Sequence, residues 1–116
     1  MQDLDSLAFA VVGGTVTGGT YDTGRIQAVE VFARGGTQVG TVTASVVVHV
    51  DAQDEDGNWF NDAVGTFAVG TAESVAKAYR RGENIGAASP AVLGVKGRFR
   101  AVVAGSMELG MNIVGY

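Results

Sequence analysis

The residues best able to do chemistry lie between His49 and Phe60, in "HVDAQDEDGNWF", which holds the only histidine, the only tryptophan and four carboxylates. Three of those carboxylates flank a glycine, so a calcium loop is the first chemistry to test. Such a loop sets oxygen ligands at fixed offsets around a glycine and closes with a bidentate acid. With Gly57 in the glycine place, Asp54 and Asp56 fit, but the first ligand falls on Ala52 and the closing one on Ala63. The two ligands that matter most are missing, and a hairpin turn at Asp56-Gly57 explains the stretch better. That dipeptide suits a tight turn with positive φ, its acids keep the tip solvated, and Trp59 and Phe60 are expected to anchor its base.

The other chemical constellations fail in turn. His49 alternates outward from a strand, with no nucleophile beside it. No GxSxG elbow is present, and "GGTVTGG" lacks the lysine of a phosphate-binding loop. Asp51, Asp62 and Glu108 are carboxylates without a geometry that pairs them for glycoside chemistry. The basic pairs are Arg80-Arg81 and Arg98/Arg100. The second pair shares a strand face, opposite Phe99, Ala101 and Val103, either as a solvated face or as a patch for acidic partner residues. The expectation is a non-enzyme with no metal or cofactor.

What must position these residues is a β framework. The chain has 116 residues, 47% hydrophobic and 17% charged, against about 25% charged in an average soluble domain. That is one domain, 1–116, whose surplus of apolar residues goes either into an unusually complete core or onto a surface that meets a partner. The net charge of −4 argues against a nucleic-acid binder, and no run is long enough for a membrane helix. Cysteine is absent, and the aspartates of "MQDLDSLAFAVV" do not suit a secretion signal, so synthesis in a cytoplasm is expected.

Eighteen glycines punctuate Val/Thr/Phe-rich runs. Strands are expected at Ser6–Val12, Ile26–Arg34, Thr41–Val50, Ala63–Val69, Arg98–Ala104 and Met107–Val114. In the third, Ala44, Val46, Val48 and Val50 share one face; in the last, Met107, Leu109, Met111 and Ile113 do. "TAESVAKAYRR", from Thr71 to Arg81, reads as a short helix or an irregular piece, and Ala87–Gly94 as a loop. The fold class is all-β: an antiparallel jelly-roll-like β-sandwich of about eight short strands. Ile26–Arg34 carries apolar residues on both faces, Phe32 among them, which points to a covered outer face.

The order of "DLDSLAF", "IQAVEVFARGGT", "SVVVHVDAQDEDGNW", "YRRGENI" and "VKGRFRAVVAGSMELGMNIVGY" resembles the small jelly-roll cement, or decoration, proteins of tailed-bacteriophage heads. The resemblance is one of layout and spans most of the chain. It implies a structural virion protein on the outer capsid surface, trimeric, without an active site, that joins subunits of the major capsid protein. On that reading Met1–Leu7 is an extended arm, with Asp3, Asp5 and Leu7 as partner contacts. Phe32, Arg80, Arg81, Arg98 and Arg100 are the further contact candidates, and the faces of Ile26–Arg34 and Arg98–Ala104 could join protomers. Two other classes remain open: a tail or baseplate component, and a carbohydrate-binding module stacking sugars on Trp59, Phe60 or Tyr21.

Overall fold

The computed structural model describes residues 1–82 and 91–116. Seven strands follow one another: β1 (Gln2–Thr17), β2 (Tyr21–Asp22), β3 (Ala28–Gln38), β4 (Ser45–Gln53), β5 (Trp59–Gly70), β6 (Ser74–Arg80) and β7 (Lys96–Gly115). All pairings are antiparallel. The chain is therefore all-β, as its alternation predicts, with no helix among the described residues.

One sheet becomes two leaves because β1 and β7 are long enough to serve both. The first half of β7 pairs with β4, and β4 with β5; the second half pairs with β3, and β3 with β6. β1 runs along the other side of β7 through both halves. The fold line crosses β1 at Gly13-Gly14 and β7 at Gly105. The register slips there, from Gly13 opposite Ser106 to Gly14 opposite Val103. Gly14 and Gly105 hold φ of 66° and 74°, which side chains other than glycine adopt at a cost. These glycines look like strand ends in the sequence, yet they are bends within continuous strands.

Folding the sheet brings its inner faces together as a jelly-roll-like sandwich. Val46, Val48 and Val50 of one leaf meet Val29, Val31, Leu109 and Ile113 of the other, all buried, with Phe99, Met107 and Leu93 filling between them. These are the inner faces expected from the alternation in β3, β4 and β7. Each such side chain stabilises by about 2 kcal/mol over its exposed state, before the entropy of ordering it is subtracted. At the closed side the leaves approach so nearly that a Cβ on Gly35 of β3 would overlap the carbonyl oxygen of Gly70 of β5.

Three expectations are corrected. The segment expected as a short helix is strand β6 from Ser74 to Arg80. Its Val75 and Tyr79 turn toward the core and pair with Ala33 and Val29, and that burial outweighs the helical propensity of its alanines. The two strands expected at Arg98–Ala104 and Met107–Val114 are one bent strand. Residues 2–7, expected as an arm, are the first part of β1, paired with β7 from Met111 to Gly115. Their backbone needs partners, and the end of β7 supplies them. Of the loop expected at 87–94, residues 91–94 carry no regular structure, and 87–90 fall outside the described residues.

Candidate functional site

The hairpin tip is a turn, as its residues suggest, but its organiser is Asp54. Its Oδ1 accepts the backbone N–H groups of Asp56 and Asn58, each at 2.9 Å. The N–H of Gly57 reaches the Asp54 carbonyl at 3.2 Å, and Gly57 takes φ of 87°. The loop thus runs from Asp54 to Asn58, wider than a two-residue Asp-Gly turn, and those hydrogen bonds hold the Asp54 carboxyl below the usual carboxylate range. Glu55 and Asp56 take no part through their side chains. Replacing both with serine is expected to change the unfolding free energy by less than about 0.5 kcal/mol in urea titration. A melting temperature of the unaltered protein that falls on adding a chelator would show a bound metal there instead. Phe60, expected to anchor the tip, is 54% exposed; its place in the register leaves it outside the core.

At the base of this hairpin lies the densest charge network among the described residues. Asp51 follows the valines of β4 and is fully buried. Opposite it β5 bulges, since Val50 pairs with Gly65 and Ala52 already pairs with Phe60. The bulge puts Asp62 at φ of 61° and aims its N–H at Asp51 Oδ1, 2.9 Å away. Arg100 donates to both oxygens of Asp51, from Nε at 2.6 Å and Nη2 at 3.0 Å, and Arg98 Nε donates at 2.9 Å. Four hydrogen bonds therefore fill the four acceptor positions of one carboxylate. Burial alone pushes the Asp51 carboxyl up, but the Arg100, Asp62 and Arg98 donors outweigh it and hold it below its ordinary value.

Around this centre sit two supports. The Asp62 carboxylate can only accept, so His49 Nδ1–H donates to its Oδ1 at 2.7 Å, with Arg100 Nη2 3.6 Å away. The Arg98 guanidinium lies over the Trp59 ring at 4.1 Å from its centroid. The network binds β4, β5 and β7 together as a clamp. Its carboxylate has no acceptor position left for a proton in flight or a substrate, so its chemistry is structural. Arg98 and Arg100, candidates for partner contacts, turn Nε of each and Nη2 of Arg100 to Asp51 inside the chain.

The remaining candidates divide between places. Arg81 caps loops, donating to the carbonyls of Thr23 at 2.6 Å and Ile26 at 2.9 Å. Arg80 is exposed at the end of β6. Asp3 and Asp5 line a small polar recess with Ser6 and Asn112. Leu7 and Phe32 share the edge of a larger groove, about 400 Å3, on the outer face of the leaf that carries β6. Phe9 (41% exposed) and Phe32 (45%) wall it, Gly110 lies in its floor, and Arg34 stacks on Phe9 at 4.4 Å. Phe9 is missed by the sequence reading because the bulge between Leu7 and Ala10 turns it outward. The sugar-stacking platform is not assembled: Tyr21 is buried and Trp59 is covered by Arg98, which leaves Phe60 alone.

No family model matches this chain, and no curated protein does. Solved structures do. A chain in the structure of infectious bursal disease virus, Gt strain, is similar at 13% identity with a TM-score of 0.56, over 97% of this chain and 30% of that one. A chain from the Gx strain gives 12% identity and a TM-score of 0.47, over 97% and 28%. The likeness is one of fold. It agrees with the jelly-roll-like sandwich traced above, and this chain spans less than a third of the length of the viral chains.

Proposed function

We propose that this protein is a structural component of a virus particle, a cement or decoration protein that binds the outer surface of a tailed-phage head and joins neighbouring subunits of its major capsid protein. The observation that carries this reading is the apolar groove walled by Phe9 and Phe32 on the outer face of a rigid sandwich. Exposed apolar surface of this kind marks an interaction site, whereas the charged side chains that could do chemistry are consumed in holding β4, β5 and β7 together. The fold shared with a chain of a virus structure, and the layout shared with phage cement proteins, support the same reading. A homotrimer would present three such grooves at once, and linked contacts hold far more tightly than one.

The test uses phage heads that lack the protein. Adding purified protein is expected to give co-sedimentation and to raise the temperature at which DNA escapes. A variant with Phe9→Ser and Phe32→Ser, equally stable in solution, is expected to bind at least tenfold more weakly. Absence from the head pellet, or heads that leak just as early with protein bound, would overturn the cement reading; binding to tails in place of heads would move it to the tail.

A further inference from the structure

The leaf that carries β6 has the strand order β1, β7, β3, β6, so β1 and β6 are its two edges. Their residues fall into rows across it. Asp5 lies opposite Ile113, Ile113 opposite Val31, and Val31 opposite Lys77. One row therefore begins with an acid on one edge and ends with a base on the other. The next row runs Leu7, Met111, Ala33, Val75 and is apolar throughout. Because opposed residues share a face, Asp5 and Lys77 both belong to the inner, core-facing side. Asp5 turns Oδ2 inward against Phe99 and Gly18, where it finds no hydrogen-bond partner, while Oδ1 accepts only the neighbouring Ser6 N–H at 2.8 Å. Lys77 stands exposed between the half-buried Val75 and Tyr79. Neither makes an ion pair among the described residues.

An inward-facing charge at a sheet edge normally prevents another strand from adding there, because pairing would strand the charge. Two such charges of opposite sign in the same row, on opposite edges, have the reverse effect between copies. We infer that copies of this chain join head to tail, the β1 edge of one adding to the β6 edge of the next, with Asp5 opposite Lys77 and Leu7 opposite Val75.

The geometry is consistent at each level. Strand directions alternate across the leaf, so β1 and β6 point opposite ways, and rotation about an axis along the strands leaves those directions unchanged. The new pair is then antiparallel, like every pair within the chain. Since the acid and the base occupy the same row, rotation needs no slide along the axis, and a heterologous contact without a slide gives a ring when its rotation divides a full turn. The inner faces also continue across the new pair, where the apolar Leu7 and Val75 meet in the row beside the charged one. The side chains of Phe9 and Phe32 lie on the outer face, whereas Leu7, Ser74, Val75 and Ala76, which also line that groove, belong to the edges that meet in the ring. This inference deepens the assembly part of the proposed function, and it moves the contact from the strand faces to the sheet edges.

The experiment is sedimentation of the free protein, without phage particles, so that it fails separately from head binding. The unaltered chain is expected to form one closed species of fixed mass, three protomers if the cement reading holds. Asp5→Lys and Lys77→Asp, each checked for an unchanged β-sheet circular dichroism spectrum, are expected to weaken assembly at least tenfold by placing like charges together. The double exchange, Asp5→Lys with Lys77→Asp, is expected to restore it. A monomer at all concentrations, open polymers of growing mass, single variants that assemble as the parent does, or a double exchange that fails to recover would each overturn the inference.

Discussion

Replacing Asp51 with alanine is expected to lower the unfolding free energy by about 3–5 kcal/mol, the cost of breaking a buried ion pair by removing one partner. Most of that loss comes from what is left behind. Arg98 would lose its acceptor, Arg100 would keep only the Asp62 carboxylate at 3.6 Å, and the Asp62 N–H, held at positive φ by the bulge, would point at nothing. A second change tests this origin. Arg100→Met in the Asp51→Ala background is expected to recover part of the loss, because it removes a charge left without its main acceptor and keeps an apolar stem. In urea titrations the two substitutions will therefore not add.

The same carboxylate sets an acid limb. Asp51 has a folded pKa below its ordinary 3.8, so the folded state binds this proton less readily than the unfolded state. Its stabilising effect is fully present above the unfolded value and is lost as pH falls through 3.8 toward the lower folded value. Stability plotted against pH should fall less steeply in that window for Asp51→Ala than for the parent. An equal slope in the two would show that other carboxylates carry the acid transition.

The second large effect is steric. Gly35→Val is expected to destabilise by about 3 kcal/mol or more, at the upper end for overpacking. The new Cβ would meet the Gly70 carbonyl oxygen and the Met107 side chain, and a backbone carbonyl in a paired strand has nowhere to go. Gly14→Ala supplies the contrast. There the backbone holds φ of 66° with open space around the Cβ, so only the conformational strain of about 1–2 kcal/mol applies. If the two cost the same in denaturant titrations, close approach of the leaves is not what Gly35 serves.

Much of the fold can be read directly from alternation. Ala44 to Val50, Phe99 to Val103 and Met107 to Ile113 have their inner faces where the pattern puts them, because one side of each stretch is consistently buried. The fold line is harder to see, since a glycine that bends a strand and a glycine that ends one look alike in a sequence. β6 is harder still. Its alanines and Lys77 favour a helix, and only the distant β3 supplies the rows that make it a strand. The groove and the charge network divide in the same way. Phe32 stands out as an apolar residue on an outward face, and Asp51 could have been found as the lone acid closing a valine run. That Arg98 and Arg100 would be spent on it depends on a bulge in another strand. The Asp5–Lys77 row depends on three registers at once, none of them local.

β7 pairs with β1, β2, β3 and β4, and it follows all of them along the chain. During synthesis two ribbons, β4 with β5 and β3 with β6, have their partners early, but no strand pairs one ribbon with the other. Of the seven strands β1 is made before the others and waits longest for β7, its uncharged run from Ser6 to Thr17 unpaired until β7 arrives. The sandwich then closes around β7 in a step dominated by long-range contacts, which makes folding slow and leaves β1 the segment most open to mispairing before it ends.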